Sequence, residues 1–173
     1  MPNLPQPELS NKENEQAKVL IIEDDRTMQG LLTTLVQDLG HIPIPATTGK
    51  EAKLMLESGQ FALCLLDLML PDTTGQALCE YIRTFSSIPI LVVSGQVNPD
   101  VVVELLQLGA DDYVTKSTGL SIIRSVIRAQ MRRAAWAEQA NQRKRKLAEQ
   151  KARHRKPSVD SFVAFPKRKT LLS

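Results

Sequence analysis

Three short apolar runs and one short mixed stretch in this chain of 173 residues are each followed at once by groups that could do chemistry. Lys18–Ile22 (KVLII) is followed by Glu23, Asp24 and Asp25. Leu63–Leu66 (LCLL) ends on Asp67, residues 88–93 (IPILVV) end on Ser94 and Gly95, and Asp112–Thr115 ends on Lys116. The apolar runs suit strands buried on both faces, and Asp112–Thr115 reads as a short fifth strand. In an open parallel sheet their carboxyl ends share one edge, where ligands bind in a crevice. An acid after a strand can also simply end it or cap the next helix, but four polar strand ends shift the balance toward a site. Carboxylates gathered there repel one another and hold protons more tightly unless something neutralises them. A hard divalent cation such as Mg²⁺ does so through oxygen ligands. A cation, a lysine and a hydroxyl around one carboxylate would stabilise a phosphoryl group transferred onto it. Aspartate is a known covalent phosphate acceptor, and such transfer rests on positioning and charge neutralisation.

The elements that must position these groups follow from periodicity. Met28, Leu31, Leu32, Leu35, Val36 and Leu39 form a helical stripe closed by Gly40. Residues 42–46 read as a weaker strand whose Pro43 and Pro45 suit a sheet edge. Residues 47–57 form a helix capped by Thr47 or Thr48, with Gly59 beyond its end. Residues 74–85 form a third helix, with Leu78, Tyr81, Ile82 and Phe85 on one face. Pro99 opens a fourth, unusually apolar helix through Val101, Val102, Val103, Leu105 and Leu106, closed by Gly109. A fifth starts at Leu120. Five strands alternating with five helices predict an α/β fold: a parallel sheet covered on both faces.

The segments IIEDD, LLDLMLPDTTG, LVVSG and GADDYVTKS resemble the receiver domain of two-component response regulators, over about residues 17–133. The resemblance implies a flavodoxin-like (βα)₅ fold. It also implies Mg²⁺ held by Glu23, Asp24, Asp67 and the backbone carbonyl of Met69. Asp67 would be the phosphoacceptor, Ser94 the hydroxyl that moves to bond the phosphoryl group, and Gly95 the small neighbour that leaves room for it. Tyr113 would be the switch aromatic, and Lys116 would pair with the acceptor or its phosphate. The implied donor is a histidine kinase or histidine phosphotransfer protein, with homodimerisation on phosphorylation. The chain departs from the family pattern at Ser117, where a proline after a cis bond is usual. A non-proline cis bond costs about 2.5–4 kcal/mol, so either that cost is met or the loop takes another shape. The side chain of Met69 offers no hydrogen bond to an attacking water, which favours slow hydrolysis of the acyl phosphate.

Charge divides the chain. Up to Ile123 there are 7 basic and 16 acidic residues, a net of −9, and from Arg124 onward 15 and 3, a net of +12. Two charge regimes imply two functional regions. Residues 1–16, rich in proline and polar residues, and 157–173 read as disordered. Residues 134–156 read as a basic helical extension. There Arg143, Lys144, Arg145 and Lys146 could bind nucleic acid, an acidic protein or an anionic surface. A solvated helix or a linker is an equally good reading. No apolar run spans a bilayer and no signal core opens the chain, so a cytoplasmic protein is expected. Cys64 and Cys79 fall in buried elements and should stay reduced, and His41 and His154 have no partnering motif. Two other readings are weaker. A phosphorylation-independent docking pseudo-receiver would not need the full acidic set with Ser94 and Lys116. A haloacid-dehalogenase-type phosphatase needs a second Asp where Met69 stands.

Overall fold

The structure, a computed structural model, describes residues 16–95 and 98–154. The readings for residues 1–15 and 157–173 lie outside them. The elements run β1 (Lys18–Ile22), α1 (Arg26–Asp38), β2 (Ile42–Ala46), α2 (Gly49–Ser58), β3 (Leu63–Leu66), α3 (Gly75–Arg83), β4 (Ile90–Ser94), α4 (Pro99–Gln107), β5 (Asp112–Thr115) and α5 (Leu120–His154). All strand pairs are parallel, in the order β2-β1-β3-β4-β5. This is the flavodoxin-like order, with its switch point between β1 and β3. The edge place of β2 accommodates Pro43 and Pro45, which cannot donate to a ladder.

Strand alternation builds two cores. Leu20, Ile22, Cys64, Leu66, Ile90 and Val92 face α2, α3 and α4, meeting Ala52, Leu56, Leu78, Ile82 and Leu105. Val19, Ile21, Leu63, Leu65, Leu91 and Val93 face α1 and α5, meeting Leu32, Val36, Ile123, Ile127 and Met131. The three inner strands are buried on both faces after the first residue of β1, as continuous apolar runs require. The first four helices are each placed by a side-chain cap. The side chains of Asp25, Thr48, Thr74 and Asn98 accept from Met28, Glu51, Ala77 and Asp100 at the starts of α1, α2, α3 and α4.

Several expectations need adjustment. Leu31 is exposed, so the packed stripe of α1 is Met28, Leu32, Leu35, Val36 and Leu39. On α4 only Leu105 is buried, while Val103 and Leu106 face solvent. Helix α3 stops at Arg83, because its guanidinium turns back to the chain beyond the helix. It donates to the carbonyls of Ser86, Ile88 and Gly109 and pairs with Asp111. Gly40 and Gly109 have φ of 82° and 102°, the left-handed caps expected. Gly59 is extended instead, at φ −125°. There is no cis peptide bond among the described residues, so Lys116–Ser117 is trans, and residues Lys116–Thr118 wind into a 3₁₀ turn. Two compact units divide between Ala137 and Glu138.

The start of α3 lies against the end of β3. A Cβ on Gly75 would stand 2.7 Å from Leu68 Cα and 2.9 Å from the Asp67 carbonyl oxygen. Backbone atoms cannot move aside as a side-chain tip can. We predict that Gly75→Ala lowers unfolding free energy by about 1–3 kcal/mol, the usual cost of overpacking. Urea denaturation checks this, and a loss below about 0.5 kcal/mol, ordinary for a surface site, would contradict it.

Candidate functional site

Register carries the polar strand ends to one edge. Ile22 pairs with Leu66, so the next residues, Glu23 and Asp67, emerge side by side. Backbone bonds hold both: Asp67 N–H donates to the Ile22 carbonyl at 2.9 Å, and Glu23 N–H to the Ala46 carbonyl at 3.0 Å. Ser94 pairs with Thr115, which puts Lys116 one residue beyond that pair. The carboxylate oxygens of Glu23, Asp24 and Asp67 lie within 4.8 Å of one another.

Lys116 joins two of these acids. Its Nζ lies 2.8 Å from Glu23 Oε1 and 2.8 Å from Asp67 Oδ2. The two carboxylate side chains are 1% and 4% exposed, while Lys116 keeps 24% of its side chain in solvent. Asp67 Oδ1 accepts from the Leu68 N–H at 2.7 Å. Glu23 Oε1 also accepts from the Asp25 N–H at 3.3 Å, but Glu23 Oε2 is buried with no hydrogen-bond partner. A buried carboxylate oxygen without a donor is costly. Glu23 is one of three acids whose carboxylates gather here, the donor set that a hard cation takes. The residues present therefore fit Mg²⁺.

The electrostatics agree. Burial pushes Glu23 up from 4.5 to about 7; the Lys116 hydrogen bond opposes this and the charge of Asp67 adds to it. Burial pushes Lys116 down, but its hydrogen bonds to Asp67 and Glu23 and their charges outweigh it, so its pKa ends above the ordinary lysine value. Glu23 holds its proton chiefly because it is buried, and Lys116 holds its proton because two carboxylates surround it.

The loop after β3 is pinned at both sides. Met69 bridges to Thr74 in antiparallel fashion, and Gly75 N–H donates to the Leu68 carbonyl at 2.9 Å. Asp72 accepts from Gly49 N–H at 2.8 Å and Lys50 N–H at 2.9 Å, capping α2 from across the chain. These bonds hold its carboxyl below the usual range. The Met69 side chain faces solvent. Ser94 is fully buried at the end of β4, and a Cβ on the following Gly95 would meet nothing within 4 Å. Tyr113 packs on the core beneath α2, α3 and α4, with its hydroxyl buried and unpartnered. Burial, then the charge of Asp67, raises its pKa.

The strand-end reading thus brings Glu23, Asp24, Asp67 and Lys116 together and sets Ser94 on the same edge. Asp25, adjacent in sequence, caps α1 instead. Arg143, Lys144, Arg145 and Lys146 are exposed on α5 and belong to the second unit. Three contributions escaped the sequence. One is the bond from Lys116 to Glu23 as well as to Asp67. Another is the Asp72 cap, hinted at only by the Pro71-Asp72 turn. The third is Gln29, whose amide donates to the Glu23 and Ala46 carbonyls and braces the end of β1.

The Glu23 shift fixes a pH dependence. Its folded value lies above its ordinary one, so its contribution to stability is full below pH 4.5 and is lost as pH rises through about 7. Glu23→Gln removes this dependence. In metal-free buffer the variant should gain in Tm on the wild type as pH rises across that window. A difference that stays flat, or reverses, would contradict the assignment.

Comparison with known proteins agrees with this geometry. Residues 19–128 match the family model described as response regulator receiver domain. A probable transcriptional regulator ycf27 of Pyropia yezoensis is 31% identical over 70% of this chain and 50% of its own length. Transcriptional regulatory protein PhoP of Escherichia coli O157:H7 is 36% identical over 67% of this chain and 52% of its own. The chain therefore spans about half the length of the curated relatives it matches. A crystal structure of a two-component response regulator from Clostridium difficile superposes with a TM-score of 0.65 at 29% identity, covering 68% of this chain and 98% of that one. The match covers well over half of the sequence, and the chain belongs to the response regulator receiver domain family.

Proposed function

We propose that this chain is a phosphorylation-controlled switch that accepts a phosphoryl group on Asp67 in a Mg²⁺-dependent reaction. The observation that carries the reading is the pair of 2.8 Å bonds from Lys116 to Asp67 and Glu23 beside a buried, unpartnered carboxylate oxygen. The donor would be a phosphohistidine of a histidine kinase or a histidine phosphotransfer protein. An Asp67 carboxylate oxygen attacks phosphorus, the P–N bond breaks, and the electron pair returns to the imidazole. Lys116 is held at Asp67 Oδ2, where it can follow the charge onto the phosphoryl oxygens. Glu23, Asp24, Asp67 and the Met69 carbonyl would hold the metal. When bound, the cation would neutralise the charge that develops on the phosphoryl group.

Ser94 would supply a hydroxyl to the phosphoryl group, and Tyr113 would follow it. The Tyr113 hydroxyl, buried without a partner, has a polar interaction to gain by moving. The chemistry belongs to transfer onto the chain and off it, so the role is signalling rather than turnover of a substrate. No described helix is long and apolar enough to cross a membrane. Homodimerisation on phosphorylation belongs to the same proposal. The exposed Val103 and Leu106 of α4 offer apolar area for it.

The test uses the whole chain, a small-molecule phosphodonor, and Mg²⁺ or a chelator. Labelling should require Mg²⁺, vanish in Asp67→Asn, and need a higher Mg²⁺ concentration in Asp24→Asn. Undiminished labelling of Asp67→Asn, or in chelator, would overturn the proposal.

A further inference from the structure

The last part of α5 is a surface without an assigned use. Every residue from 137 to 152 is exposed, and Leu147 is the only large apolar side chain between 138 and 152. An apolar pocket or a bilayer needs more. A helix entering a protein groove brings apolar anchors at i, i+3, i+4 and i+7, and an interfacial membrane helix needs an apolar face to bury. Single-stranded nucleic acid is taken up by stacking on aromatic rings. There is none between 138 and 152, and the nearest, Trp136, already has the Arg132 guanidinium 5.5 Å from its ring. What this segment offers is cations on a regular helix.

Those cations are not equivalent. Glu138 and Glu149 are separated by about three helical turns and so lie on one side of the helix. Gln142 donates to Glu138 at 3.1 Å on that side. At 3.6 residues per turn, Arg143, Lys144 and Lys151 lie roughly 130–150° away from the acids, whereas Arg145 and Lys146 lie within roughly 70° of them. The run of four basic residues thus encircles the helix. Only Arg143 and Lys144, joined by Lys151, share a face free of acids, with the short side chain of Ala140 between them.

We propose that this face docks on the phosphate backbone of double-stranded nucleic acid, without reading bases. A duplex backbone asks for cations on a rigid element and for no apolar contact, which is what Arg143, Lys144 and Lys151 provide. The proposal is independent of the phosphoryl chemistry of the receiver.

The test measures binding of the whole chain to a mixed-sequence DNA duplex across a salt series, beside phosphatidylserine-containing vesicles. Two variants of equal net charge are compared, Lys144→Gln/Lys151→Gln and Arg145→Gln/Lys146→Gln. Glutamine keeps helix propensity close to that of lysine and arginine, and circular dichroism confirms that the helix is kept. Each phosphate contact contributes about 0.9 to the slope of log K against log salt. The first pair should make the slope shallower by about 1.8, and the second by less than half of that. Equal effects of the two pairs, absence of duplex binding at about 50 mM salt, or binding to vesicles in place of the duplex would overturn the proposal.

Discussion

One ammonium group shared between two buried carboxylates underlies the receiver site. Lys116 reaches from the end of β5 to Asp67 at the end of β3 and Glu23 at the end of β1. Without it, two acids almost wholly removed from water would face each other across adjacent strands, with Asp24 beside them. Burying such charge unpaired costs several kcal/mol per ion. A fold that gathers acids at one edge must therefore bring a cation there, and this one does so with a residue far away in sequence. Burial outweighs the hydrogen bond from Lys116, which is why the Glu23 pKa stays raised, to about 7. The clustered carboxylates of Glu23, Asp24 and Asp67 are the donor set that a hard divalent cation would take.

The rest of the receiver serves that contact. Parallel pairing in the order β2-β1-β3-β4-β5 puts β1 beside β3, so that Glu23 and Asp67 are neighbours, and puts β5 at the far side of β4. The reach across β4 falls to the long lysine stem. Caps and close contacts then stiffen the loops that carry the acids. Asp25 is spent on α1, Asp72 ties the β3–α3 loop to the start of α2, and Gly75 lets α3 sit directly on the backbone of Asp67 and Leu68. The site is thus built on element ends rather than on long loops, which suits chemistry that depends on charges held in place.

Much of this was legible because the chemistry lies along short segments. Short strands ending in Glu23, Asp67, Ser94 and Lys116 were enough to name the edge, while the flavodoxin-like fold followed from the resemblance. Thr48 and Pro99 marked helix starts, and Pro43 and Pro45 marked the edge strand. Less legible was whatever depends on pairs far apart in the chain. The end of α3 is set by Arg83 meeting carbonyls up to Gly109, and no local pattern announces this. Leu31 continues an apolar stripe but lies outside the contact with the sheet, and the apolar run of α4 buries only Leu105, because periodicity gives a face but not its width. The trans Lys116–Ser117 peptide also had to come from the structure, since the sequence left both isomers open.

If Lys116 and a bound cation share the task of neutralising Glu23 and Asp67, removing the lysine should make the cation matter more. Thermal unfolding of the wild type and Lys116→Ala, measured at pH 8 with and without Mg²⁺, tests this directly. The account predicts that the metal-free variant loses about 3 kcal/mol, the low end for a broken buried pair because Lys116 is partly solvated. It also predicts that Mg²⁺ raises the Tm of the variant by more than it raises that of the wild type. An equal or smaller Mg²⁺ shift in Lys116→Ala would contradict the account.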